Sequence, residues 1–145
     1  METILTPVAS ASQATRAFDK KLWTARILSS ISVLLLLFDA TGKLLRLAPV
    51  VEGTVRVGYP ETVIVPLGVV LLVGTVLYAV RATAVLGAVI LTGWLGGATA
   101  THVRIGEPFW MPVLVGVIVW GCLYLRDERV RALLPLVRLR ADRGH

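Results

Sequence analysis

The chain has 145 residues, of which 56% are hydrophobic and 17% charged, with a formal net charge of +6. Its mean hydropathy of +0.78 and an apolar share above the ~45–50% of soluble domains exclude a soluble enzyme, a disordered tail and a disulfide-stapled secreted module. One cysteine, Cys122, and two histidines, His102 and His145, leave no intramolecular disulfide, no dithiol chemistry and no Cys/His metal constellation. No metal is therefore expected, although a mixed carboxylate–histidine site survives the count. The basic residues flank the apolar runs instead of forming an aromatic-interleaved surface, so no nucleic-acid partner is expected.

Residues 1–21 are polar, carry Arg16, Lys20 and Lys21, and read as a short mobile cytoplasmic tail. The apolar run behind them outlasts a signal-peptide core of ~7–15 residues, so a retained helix is expected and not a cleaved leader. Four apolar runs follow, at about 22–45, 61–80, 83–101 and 108–125. Each is near the ~20 residues that cross a bilayer as a helix, and none alternates like a barrel strand. The expected fold is all-α: a polytopic membrane protein built as an antiparallel four-transmembrane-helix bundle over residues 22–125, with a short interfacial C-terminal segment.

Local punctuation agrees with those boundaries. Pro60-Glu61 and Glu107-Pro108 open the second and fourth runs with residues suited to helix N-termini. Arg81-Ala82-Thr83 reads as a tight turn with Thr83 as N-cap, which makes the second and third runs a hairpin. Trp23, Trp110 and Tyr124 fall near run ends, where amphipathic rings favour the interface. Residues 126–145 form a basic cytoplasmic segment with six arginines, interrupted by Pro135. Eleven lysines and arginines lie on the side of the termini and four on the other. That bias predicts a multi-pass cell-membrane protein with both termini in the cytoplasm.

Ionisable residues inside the runs are costly in hydrocarbon and mark candidate sites. Asp39 and Lys43 are one helical turn apart on one face, with Ser32 and Arg46 on the same stripe. They read either as an ion pair locking the outer end of the bundle or as groups lining a pocket. In the third run Thr92, Gly96, Thr99 and His102 share a face, and His102 lies at the depth of Lys43. Histidine is the side chain suited to shuttling protons near neutral pH, against the plainer reading of an interfacial residue bonded to a carbonyl. Glu61 and Arg104, with Glu107, complete the polar residues at that end, Glu61 reading chiefly as a helix-dipole residue. Gly93 and Gly97 form a small-xxx-small pair expected to let a neighbouring helix approach, as do Gly68, Gly74 and Gly87.

The chain also resembles the DoxX-like family of small four-helix membrane proteins. The resemblance rests on Phe38-Asp39-Ala40-Thr41-Gly42-Lys43-Leu44, on Gly58-Tyr59-Pro60-Glu61, and most specifically on the stretch from Leu91-Thr92-Gly93-Trp94 through Thr101-His102-Val103-Arg104 to Glu107-Pro108. Leu123-Tyr124-Leu125-Arg126-Asp127 and Arg131-Ala132-Leu133-Leu134-Pro135 extend it, so that it covers roughly residues 22–135. It implies the fold, and a link to thiosulfate:quinone oxidoreduction or to membrane-associated oxidoreductase assemblies, without a transferable set of catalytic residues.

Two function classes follow. In the first, the protein binds or acts on a lipophilic small molecule, such as a quinone, in a polar pocket near the outer leaflet. It does so as a redox-linked subunit or a small acid–base enzyme. Asp39 and His102 are then the candidate catalytic residues, and Lys43, Glu61, Thr92, Thr99 and Arg104 the candidate ligand-binding ones. The pocket is expected between the first and third runs, with apolar walls from Leu35, Leu36 and Leu95. A bound quinone is the cofactor this reading carries; a soluble oxidoreductase and a second copy of the chain are its candidate partners. In the second class the chain is a non-catalytic membrane anchor or assembly partner whose polar cluster only fixes the bundle.

Overall fold

A computed structural model describes residues 6–134, with side chains from residue 23 onward. Six α-helices follow one another, and no strand occurs among the described residues: α1 (Thr6–Leu44), α2 (Ala48–Arg56), α3 (Ile64–Ala79), α4 (Ala84–Arg104), α5 (Trp110–Arg126) and α6 (Glu128–Leu133). A 3₁₀ turn, Glu61–Val63, leads into α3. Three helical stretches are long and apolar enough to cross a membrane: Trp23–Leu44, Glu61–Ala79 and Ala84–Arg104. The fourth apolar helix, Trp110–Arg126, is shorter, at 17 residues.

Several boundaries differ from the expected ones. The polar stretch read as a tail is helical from Thr6, which makes α1 39 residues long. With Pro7 in its first turn and neither glycine nor further proline before Gly42, nothing interrupts that helix. The segment between the first two runs, left without structure by the hydropathy reading, contains α2, opened by a proline in its first turn. Thr83 makes no side-chain cap to α4. Its hydroxyl donates to the Leu77 carbonyl at 2.9 Å, satisfying one of the carbonyls that α3 leaves open at its C-terminus. Of the basic C-terminal segment, α6 is described, with the Asp127 side chain accepting from the Arg129 amide at 2.9 Å. Residues 135–145, including Pro135, Arg138, Arg140 and Arg143, lie outside the described residues, as do residues 1–5 and the side chains of Arg16, Lys20 and Lys21.

The long helices pack as a ring. α1 lies against α3 and α5, and α4 lies against α3 and α5, which leaves α1 and α4 on the diagonal. The core follows this ring, with Leu36 and Ala40 from α1, Leu71 and Tyr78 from α3, Ala88 and Leu91 from α4, and Val119 and Leu123 from α5. Exposed apolar residues such as Leu34, Leu35, Phe38, Val89 and Val117 cover the outside, as expected of helices that face lipid.

α3 and α4 form the expected hairpin, and it is tight at its turn. A Cβ placed on Gly87 would stand 2.2 Å from the Tyr78 backbone nitrogen, and one on Gly74 would stand 2.9 Å from the Ile90 side chain. Gly68 does the same for α1, where a Cβ would meet Lys43 Cβ at 2.9 Å. Gly87 and Gly68 are places where helix backbones touch, and Gly74 is where α4 side chains press onto the α3 backbone. Gly87→Ala is therefore expected to lower the unfolding temperature of the detergent-solubilised protein sharply or abolish folded yield. Gly121→Ala, where nothing lies within 4 Å, should leave it unchanged or gain about 0.5–1 kcal/mol from helix propensity. Thermal denaturation followed by circular dichroism reads both.

Candidate functional site

The same two helices separate at their other end. A cavity of about 640 Å³ opens there, bounded by α1, α2, α3 and α4. It falls within the range of ~300–1,000 Å³ that holds small-molecule ligands. α3 contributes Leu67 and Val70, and α4 contributes Gly93, Trp94, Gly97, Ala98, Thr101 and His102. Gly93 and Gly97 have nothing within 4 Å of where a Cβ would stand. The small-xxx-small pair therefore does not receive a helix, as its spacing had suggested; it leaves a hollow. Val70, Gly93 and Gly97 are exposed as well as lining, so the cavity is a cleft open to the outside.

Lys43 and Asp39 stand on the α1 wall. They form an ion pair through Lys43 Nζ and Asp39 Oδ1, with 10% and 37% of their side-chain surfaces exposed. The ammonium also sits 5.2 Å from the centre of the Trp94 ring, a cation–π distance. Lys43 thus reaches across the diagonal from α1 to α4. Trp94 is held in turn by a long bond, 3.4 Å, from its indole nitrogen to the Leu67 carbonyl of α3.

His102 lies on the α4 wall, half-buried, with Nδ1 2.8 Å from the Ala98 carbonyl one turn back. A carbonyl only accepts, so Nδ1 carries the proton in the neutral ring and Nε2 keeps its lone pair. Nε2 has no partner among the described residues. Beside it, Thr101 Oγ1 donates to the Gly97 carbonyl at 2.8 Å and meets the Tyr59 hydroxyl at 2.9 Å. With the threonine proton spent on Gly97, Tyr59 is the donor in that pair.

α2 covers the end of the cleft with Val50, Thr54 and, just past its C-terminus, Val57. The spacing of four and three places them on one face. Polar ties hold this cover to α4 and the connection that follows it: Arg56 pairs with Glu107 past the end of α4, and Arg104 Nη2 donates to the Val57 carbonyl at 2.9 Å. Gly58 stands in the left-handed region at φ +92°, with that guanidinium 3.1 Å from where its Cβ would be. Only glycine meets both demands at the turn.

The structure thus brings Asp39, Lys43 and His102 to one cavity and leaves the other expected residues elsewhere. Glu61 is exposed and pairs with Arg46, which a positive φ of 51° just past the end of α1 turns away from the Asp39 face. Arg104 lies behind the α2 connection. Thr92 accepts from the Trp120 indole at 2.8 Å and so links α4 to α5. Thr99 only returns its proton to the Leu95 carbonyl. The expected apolar walls also differ: Leu36 and Leu95 are buried, Leu35 faces outward, and none of the three lines the cleft. Helical spacing placed Thr92, Thr99 and His102 on one side of α4, but the cleft takes the strip of Trp94, Ala98 and Thr101, on which only His102 overlaps. Trp94, Tyr59, Thr101 and Thr54 were missed. A signal for the first was present, a single large ring set among Gly93, Gly96 and Gly97.

These features define a class before any comparison: a small all-helical membrane protein with a polar-sided cleft at one end of its helices. The chain belongs to the DoxX-like family, whose model matches residues 27–122. No curated protein and no solved structure matches the chain. Family membership supports a multi-pass membrane protein in contact with the bilayer.

The Asp39–Lys43 pair yields a direct test. Lys43→Met strands a carboxylate, whereas Asp39→Asn with Lys43→Met removes both charges. The single variant is expected to lose about 2–3 kcal/mol more stability than the double, read by chemical denaturation in detergent. Equal losses would mean that the two groups do not interact.

Proposed function

We propose that this DoxX-like protein crosses the membrane four times and binds a lipophilic small molecule with a polar head, quinone-like in chemistry, in the α2-covered cleft near the outer leaflet. The observation that carries the reading is the cleft itself. Its volume and largely apolar lining suit a small organic ligand, while its polar groups gather on two facing walls, Lys43 with Asp39 and His102 with Tyr59–Thr101. α5, at 17 residues, reaches the lower limit of ~17–25 residues for a spanning helix, which supports it as the fourth span. The excess of lysine and arginine at the other end supports cytoplasmic termini.

In this reading Trp94 and Val70 flank the ligand body, and the Lys43 ammonium is the donor for a carbonyl oxygen of its head. Nε2 of His102 is the acceptor for a hydroxyl proton, and its Nδ1 bond to Ala98 holds the ring in the tautomer that can accept one. A quinone, when bound, would supply reversible redox chemistry; the residues named here would seat its head and handle a proton at Nε2. Asp39 acts through Lys43, fixing the ammonium, and only secondarily as a base. The same residues serve either a redox-linked subunit or a small acid–base enzyme.

The runner-up is a non-catalytic anchor or assembly partner for an oxidoreductase. It is favoured by one observation, that Asp39 and Lys43 already satisfy each other. Mass spectrometry of lipophiles retained by the purified protein separates the two. The wild type is expected to carry a lipophile that Gly93→Leu with Gly97→Leu loses, since both side chains fill the hollow while the unfolding temperature holds or rises. Equal loading of the two proteins, or none in either, would leave the anchor.

The topology has its own check. Single cysteines placed at Arg56 and Arg104, in a Cys122→Ala background, should react with an impermeant maleimide on intact cells. Labelling that requires permeabilisation would reverse the orientation.

A further inference from the structure

The end of the bundle away from the cleft holds a second concavity, of about 810 Å³. Five arginines line it: Arg26 from α1, Arg81 from the α3–α4 turn, Arg126 at the end of α5, and Arg129 and Arg131 from α6. Two acids, Asp127 and Glu128, share the lining. Both are engaged, Asp127 with the Arg129 amide and Glu128 with the Arg131 guanidinium at 3.3 Å. Arg126 is also committed, donating to Ser29 Oγ and to the Tyr78 carbonyl. The guanidinium groups of Arg26, Arg81 and Arg129 remain, exposed and without a partner among the described residues.

The contrast with the cleft end is sharp. There Lys43, Arg46, Arg56 and Arg104 each have a carboxylate or a carbonyl. Three guanidiniums gathered from distant points of the chain around one hollow repel one another and gain nothing within the fold. Their planar forks match phosphate oxygens, which accept two parallel N–H bonds from each. We propose that Arg26, Arg81 and Arg129 form a binding site for a phosphate group, carried by the headgroup of an anionic phospholipid. The lipid source is favoured over a soluble phosphate by position. Arg26 lies one turn inside the membrane-capable stretch that begins at Trp23, and the apolar Leu125 lines the hollow. The apolar residues Trp23, Ile27 and Val80 are exposed on the same helix ends, where acyl chains would run.

The experiment uses the full-length protein in a neutral detergent, with binding read by native mass spectrometry and by shift of the unfolding temperature. The probes are dihexanoyl-phosphatidylglycerol, dihexanoyl-phosphatidylcholine and inorganic phosphate. Phosphatidylglycerol is expected to bind and stabilise, and phosphatidylcholine to do neither. The combined variant Arg26→Gln, Arg81→Gln, Arg129→Gln should bind phosphatidylglycerol at least tenfold more weakly. Arg81→Gln alone should weaken it about threefold, and it serves if the triple variant folds poorly. Inorganic phosphate that displaces the lipid at sub-millimolar concentration would uphold the phosphate site and assign it to a soluble anion. Equal binding of the two lipids by the wild type, or unchanged phosphatidylglycerol binding by the variants, overturns the proposal.

Discussion

A guanidinium folded back over a buried phenol ties this protein together. Arg126, at the last turn of α5, lies with its Cζ 4.6 Å from the centre of the Tyr78 ring. One of its terminal nitrogens donates to Ser29 on α1 at 3.1 Å, and the other to the Tyr78 backbone carbonyl on α3 at 2.9 Å. Tyr78, fully buried, sends its own hydroxyl to the Val119 carbonyl of α5 at 2.9 Å. Three helices distant in sequence are joined through side chains that hydrocarbon would otherwise leave unsatisfied. No buried side-chain nitrogen or oxygen among the described residues lacks a partner. In a medium that offers no water to hydrogen-bond, that condition selects the arrangement of helices.

The tie explains why the two ends differ. Around Tyr78 the backbones of α3 and α4 touch at Gly87, and the core is continuous from Ala84 to Leu91. Beyond Leu91 the one side-chain hydrogen bond from α4 to α3 among the described residues is the long Trp94 bond, and the hollow at Gly93 and Gly97 opens. Lys43 and Trp94 bridge the resulting gap across the diagonal. The cleft is therefore a product of where the helices are pinned as much as of the residues that line it.

Much of the fold was legible in the sequence because membrane solvation is a blunt rule. Long apolar runs, Pro60-Glu61 and the Arg81–Thr83 turn located α3, α4 and their hairpin to within a few residues. The Asp39–Lys43 pair followed from spacing and the cost of isolated charge. What failed were readings that required knowing the neighbour. Gly87 and Gly93 look alike in sequence, yet one meets a backbone and the other meets empty space. Thr92 and His102 share a helical face, but α5 receives the first and the cleft the second. The short α2, with Gly53 inside it and Pro49 in its first turn, showed too little hydropathy to register. Only the spacing of Val50, Thr54 and Val57 encoded its cavity-facing side.

On the proposed reading, the exposed wall of Val70, Gly93 and Gly97 changes the reference state for the ligand that enters the cleft from the bilayer. A molecule that arrives through this side leaves lipid tails, not water, and exchanges one apolar environment for another. Burial of its hydrocarbon body then contributes little net affinity, because acyl chains are already as apolar as leucine. Discrimination falls to the head, where an unmatched polar group would lose its partners in a low-dielectric recess. If the cleft binds a bilayer-soluble molecule as proposed, it sorts such molecules by the pattern of their oxygens and is nearly indifferent to tail length. Even a weak intrinsic preference would suffice, since partitioning has already concentrated the candidates in the same thin layer.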